Sequence, residues 1–193
     1  MSGVDQALWD IKGNRANMPV YQLLGGKTRM ATDCYAHVSG SSFKEVKESV
    51  RRLMSEGFRH IRIQVGIPGM ATYEAHSIPD PSSEVPNLPP PLAGPPQKII
   101  YEPALYVRIV PKLFEYIRKK VSEELELLHG IHERISPDQA VYLGKELEQF
   151  RPFFVEDPFP PEQIGYFWHV RMQCADRSLW ESCSIVHANL LVW

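Results

Sequence analysis

A parallel α/β fold is what this sequence predicts, and two observations predict it. Short apolar runs at residues 33–38, 60–65, 125–128 and 152–155 alternate with longer stretches of helical periodicity. The last two runs also stop abruptly at residues able to bind metal or move protons: His129, His132 and Glu133 after one, Glu156 and Asp157 after the other. Polar groups at the C-terminal ends of successive strands are how an eight-stranded β/α barrel presents a catalytic site. Alternation alone would also fit a doubly wound sheet, so the strand ends carry the argument for a barrel.

Two short helices lead in. Leu8 and Ile11 stand at helical spacing, and Pro19 opens a second helix that Gly25 and Gly26 end. The strand at 33–38 stops at Ser39 and Gly40. An amphipathic helix over 43–56 follows, with Phe43, Val46, Val50, Leu53 and Met54 as its apolar face and Gly57 at its end. After the strand at 60–65 the periodicity dissolves: residues 66–98 hold about half of the 17 prolines, including Pro89, Pro90 and Pro91. Such a run has little to bury, and a mobile insert over about 67–98 is expected. Periodicity resumes at Tyr101, where Leu105, Val107, Val110, Leu113, Phe114 and Ile117 predict a helix that Pro111 either kinks or divides. Beyond the third strand, Ser136, Pro137 and Gln139 combine an N-cap, an N1 proline and a side chain that can reach back, so a helix should run to about Phe150. Strand four at 152–155 and a helix over 161–173 complete the pattern.

Composition sets bounds. The 193 residues are 44% apolar, enough for a buried core, and the net charge of −2 offers no basic field to a nucleic acid or an anionic membrane. No apolar run approaches the roughly 20 residues that span a bilayer, and the first residues lack a secretory n-region and h-region, so a cytoplasmic address is expected. Cys34, Cys174 and Cys183 are odd in number and share no metal or redox spacing.

Three stretches together carry a resemblance: Ala7 to Gly13; Leu125 to Arg134 with its Leu127, Leu128, His129, Gly130, Ile131, His132 core; and Phe153 to Pro158. They resemble the enolase superfamily, specifically its mannonate-dehydratase-like acid-sugar dehydratases. What the resemblance implies for fold is about the first four units of a (β/α)8 TIM-type barrel, truncated at both ends and without the N-terminal capping domain. Residues 1–30 would lead in and 31–173 would form the partial barrel. What it implies for activity is a lyase that dehydrates a six-carbon sugar acid such as mannonate to a 2-keto-3-deoxy acid. Mg2+ would stabilise the ene-diolate, the small-molecule sugar acid would be the partner, and the parent enzymes would be homo-oligomers.

The resemblance also assigns residues. Arg62 and Tyr73 would together form the base, since an adjacent cation favours phenolate. His132 would be the acid for the departing hydroxyl, Gln64 would bind substrate, and Glu156 would be a metal ligand. Gly130 stands where the family carries a ligand aspartate. A third glutamate, one strand-helix unit beyond Glu156, would fall near Ser182. Residues Asp176 to Ser184 can be encoded by a string that, read one nucleotide earlier, gives Arg-Pro-Leu-Ala-Met-Gly-Glu-Leu-Phe, which resembles the family sequence of that strand. An out-of-frame tail over 174–193 is therefore expected, and with it impaired activity.

Each residue has a plainer reading. Arg62 could be a strand-edge surface residue, Tyr73 a loop aromatic, and His132, Glu133 and Arg134 a charged helix cap. Glu156 and Asp157 at a strand end resist such a reading. His37, His60, His76 and His129 have no spacing argument and read as structural or solvated. Three functional hypotheses follow: an acid-sugar dehydratase, a non-catalytic remnant or assembly partner of a full-length relative, and a proline-rich interaction protein built around Pro86 to Pro89.

Overall fold

The computed structural model describes residues 2–70, 101–163, 165–174 and 180–181. They fall into two compact units, 1–34 and 35–193. The first holds helices α1 (Ser2–Ala16) and α2 (Val20–Leu23). Gly13 lets the chain turn closely between them, because a Cβ there would meet the Met18 carbonyl at 3.0 Å. Both Gly25 and Gly26 take positive φ, as a helix stop requires.

The second unit runs β1 (Tyr35–Val38), α3 (Phe43–Ser55), β2 (His60–Ile63), α4 (Pro103–Lys120), β3 (Glu126–Gly130), α5 (Pro137–Glu148), β4 (Phe154–Glu156), α6 (Gly165–Gln173) and β5 (Trp180–Glu181). All strands are parallel and lie side by side in chain order. A sheet whose order follows the sequence, with a helix between described neighbours, is the way a β/α barrel is wound. The register sets Gly130 beside Glu156 and Glu156 beside Glu181. The fifth strand was not expected, and it places Glu181 in that row one residue short of Ser182, which lies outside the described residues.

The core lies between sheet and helices. Val38, Ile61, Ile63, Leu127 and Val155 pack with Val46, Val50, Ile109, Leu113, Phe114, Ile117 and Leu143. Helix α3 begins on Ser42, whose hydroxyl accepts from the Glu45 amide at 3.3 Å, and it buries Phe43, Val46, Val50 and Leu53. Met54, expected on that face, is 37% exposed, since one residue past Leu53 turns about 100° around the helix. Helix α4 continues through Pro111, so the proline neither ends nor divides it. The predicted capping box at Ser136 and Gln139 is present on α5.

The expected mobile insert begins too early. Ile67 and Met70 are buried, and the Met70 amide closes a turn on the Ile67 carbonyl at 3.0 Å with Gly69 at φ 76°. Two apolar side chains suffice to draw that turn into the core; the remainder of the insert, with Tyr73, His76 and the Pro86 to Pro89 motif, lies outside the described residues. Buried Arg118 clasps the entries to two strands, donating to the carbonyls of Glu123, Leu125, Phe150 and Arg151. No helix among the described residues is long and apolar enough to cross a membrane.

Candidate active site

Side chains alternate across a strand, so residues two apart share a face. The face turned away from the core receives Tyr35 and His37 from β1, Arg62 and Gln64 from β2 and its extension, Gly130 from β3 and Glu156 from β4. These six positions lie on one face of four adjacent strands, Gly130 and Glu156 as the last residues of β3 and β4, Gln64 just past the end of β2, and Tyr35 at the start of β1.

Glu156 is the centre. One carboxylate oxygen, Oε1, accepts from the Tyr35 hydroxyl at 2.6 Å, and Oε2 accepts from Arg62 Nη1 at 2.6 Å. Both charged side chains are nearly inaccessible, at 8% and 3% exposure, so the pair is a buried one that would be costly to break. The second Arg62 terminus, Nη2, donates to His37 Nδ1 at 2.9 Å, which fixes the imidazole proton on Nε2. Arg62 is therefore no strand-edge surface residue.

A second cluster adjoins it. Gln64 Nε2 donates to the Gly130 carbonyl at 3.1 Å and meets His132 Nε2 at 3.1 Å, making that imidazole nitrogen an acceptor. Burial pulls the His132 pKa down from its ordinary value, and the nearby positive charges of Arg62 and Arg134 add to the effect. The expected proton donor is thus held in a neutral, accepting form. Nor is His132 part of a helix cap: His132, Glu133 and Asp157 take φ of 57°, 61° and 47°. In that left-handed conformation the strand ends stay in step, with the Ile131 amide on the Glu156 carbonyl at 3.0 Å and Glu133 on Asp157 at 2.8 Å.

Behind the rim, His129 points the other way, into the core. Its Nδ1 meets the Ile63 carbonyl at 2.8 Å, so Nε2 accepts from the Tyr106 hydroxyl at 2.6 Å. Burial drives its pKa down to about 4 and pushes that of Tyr106 up. His129 is structural, a polar tie between β3, β2 and α4.

The structure thus brings Arg62, Gln64, Gly130, His132 and Glu156 together, while Tyr73 and Ser182 fall outside the described residues. Sequence reasoning missed Tyr35 and His37, with His37 set aside as structural or solvated. The available signal was their two-residue spacing, which repeats at Arg62 and Gln64 and at Gly130 and His132. A divalent ion does not fit these side chains as they stand. Magnesium takes hard oxygen donors in octahedral order, yet Gly130 supplies none and each Glu156 oxygen already accepts a strong hydrogen bond. Among the described residues no group of three His, Cys, Asp or Glu side chains could hold a metal ion.

A parallel sheet wound in chain order, with charged and proton-moving groups at its C-terminal rim, defines the barrel enzymes as a class. Residues 45–180 match the family described as enolase C-terminal domain-like, and residues 1–25 match the N-terminal domain of mandelate racemase and muconate lactonizing enzyme. The chain belongs to the enolase superfamily. A D-galactonate dehydratase family member from Enterocloster bolteae is 41% identical over 175 residues, which is 91% of this chain and 41% of that protein. The family member RspA from Pantoea ananatis is 41% identical over 177 residues, 90% of this chain and 42% of its own length. The solved structure of an enolase from Pantoea ananatis, with bound D-gluconate and magnesium, aligns with a TM-score of 0.72 at 38% identity and covers 89% of this chain and 42% of that one. The chain spans about two fifths of the length of the relatives it matches.

Proposed function

We propose that this chain carries the first-half active-site rim of a magnesium-dependent acid-sugar dehydratase, with a mannonate-like six-carbon aldonate as the substrate class, and that its own turnover is impaired. The observation that carries the reading is the convergence of Arg62, Gln64, His132 and Glu156 on one rim, at the strand ends where a barrel enzyme works. Relatives named for D-galactonate dehydration, and one solved with D-gluconate and magnesium, support the substrate class.

In relatives that hold it, the metal would stabilise charge on the substrate carboxylate; the donors of this chain do not suit it, and no step here runs through it. What its own residues can do is narrower. Arg62, backed by His37, is oriented at the rim. Gln64 fixes the His132 ring, which can take up a proton at Nε2. Tyr73 would act with Arg62 as the base, a role the resemblance alone supports. Impairment follows from Gly130, where a ligand carboxylate is expected, and from the tail after residue 174, read as out of frame. A second reading, a non-catalytic remnant or assembly partner of a full-length relative, is favoured by the same glycine. A cytoplasmic address and homo-oligomeric parents complete the proposal.

The test is direct. The purified chain is incubated with magnesium and D-mannonate or D-gluconate, and the 2-keto-3-deoxy product is read as its semicarbazone absorbance. No product above the buffer control is expected; steady turnover would overturn the claim of impairment.

A further inference from the structure

Position 130 and Glu156 are neighbours in register, so an ion bridging carboxylates at both would sit between them. That place is filled. A Cβ built on Gly130 would lie 3.1 Å from Arg62 Nη1 and 2.9 Å from His132 Nε2, and Arg62 Nη1 is itself 2.6 Å from Glu156 Oε2. The His132 ring and the Arg62 guanidinium together therefore occupy the volume a side chain at 130 would need, and the guanidinium carries positive charge to the Glu156 carboxylate.

We infer that Arg62 stands in for the divalent cation in this chain: its guanidinium, admitted by the missing side chain at Gly130, neutralises Glu156 and keeps metal off it. The inference rests on the proposal that this rim descends from a metal site. It adds the cause of the loss, an internal cation, to the loss of a ligand. Three features hold the arrangement in place. Arg62 is 6% exposed, its other terminus is anchored on His37, and the second Glu156 oxygen is held by Tyr35. A hydrated magnesium ion dehydrates reluctantly, and here it would have to displace a desolvated ion pair to reach the Glu156 carboxylate.

The test uses Mn2+ alone as probe, read by the loss of its free-ion electron paramagnetic resonance signal. The wild-type chain should show no saturable uptake up to about 10 mM, beyond the range of weak hard-cation sites. The double variant Gly130→Asp/Arg62→Met, checked for folding by circular dichroism, removes the guanidinium and adds a carboxylate. It should bind at least roughly tenfold tighter than wild type. Because that variant could fail to fold, the wild-type Arg62 guanidinium is also followed by 15N resonance. Slowly exchanging Nη protons are expected, unmoved by Mg2+ and lost in Glu156→Gln. Saturable wild-type uptake abolished by Glu156→Gln, a folded double variant that stays silent, or Nη resonances that shift on adding Mg2+ would each overturn the inference. Turnover is a separate readout, so metal silence with activity would sink the functional proposal while sparing this one, and metal binding without activity would do the reverse.

Discussion

On the helix-covered face of the sheet, Ile61, Ile63, Leu127 and Val155 are fully buried and merge into a core shared with α3, α4 and α5. On the opposite face the same strands present Tyr35, His37, Arg62, Gln64 and Glu156, joined by single hydrogen bonds around a bare glycine. The first face is redundant: each apolar side chain touches many others, and dispersion and desolvation add up over all of them. The second is a small directional network, in which removing one group withdraws a hydrogen bond from a buried neighbour. A change at one position, Gly130, can therefore reorganise the polar face while leaving the apolar one intact. On the function proposed above, that difference is how a sheet would keep its family's fold while its polar rim changes.

The sharpest way to break the comparison is Arg62→Met, which leaves the Glu156 carboxylate buried beside a methionine. A loss of about 3–5 kcal/mol is expected from urea unfolding, the range for orphaning one member of a buried pair. A loss below 1 kcal/mol, ordinary for exposed pairs, would show the polar face to be loosely held and well watered.

Acid probes a titratable polar tie inside the apolar face. The pKa of His129, 6.5 in the unfolded chain, falls to about 4 in the folded one because burial disfavours the imidazolium. Below 6.5 the unfolded chain binds the proton first, so stability is fully present above that pH and drains as pH falls toward 4. Roughly 3 kcal/mol should be lost across that window, and His129→Gln should flatten the slope of unfolding free energy against pH there. An unchanged slope would remove His129 from the account.

Smaller effects sharpen the edges. Ser136→Ala removes the N-cap of α5 and its reciprocal contact with Gln139, and should cost about 1 kcal/mol in a thermal or urea melt. Met54→Ala should change stability by no more than about 0.5 kcal/mol, as for a surface residue. A larger loss would mean that Met54 belongs to the covered face after all.

The apolar face was legible in the sequence because burial leaves a period. Spacings of three and four located α3 through Val46, Val50 and Leu53, and the Ser136, Pro137, Gln139 cap fixed the start of α5. Periodicity failed where one residue decides a rotation, as at Met54, or where context outweighs propensity. The α4 helix carries Pro111 without stopping because its apolar stripe, from Tyr106 to Ile117, is anchored in the core on both sides. Ile67 and Met70 were assigned to the insert because proline-rich composition masked two side chains that fold back. The polar face was legible only in part. Arg62, Gln64, His132 and Glu156 stood out through motif resemblance, whereas Tyr35 and His37 left only a two-residue spacing, which does not say whom they face; the register of β1 against β2 settles that. That Arg62 pairs with Glu156 could not be read at all, since it depends on a side chain that Gly130 lacks.

The most direct test of the central claim, that a guanidinium and not a metal ion is the partner of Glu156, is a double-mutant cycle of Arg62→Met and Glu156→Gln by urea unfolding, with and without Mg2+. A coupling free energy of about 2 kcal/mol or more, left unchanged by Mg2+, is expected. Coupling near zero, or coupling that disappears as Mg2+ is added, would contradict it.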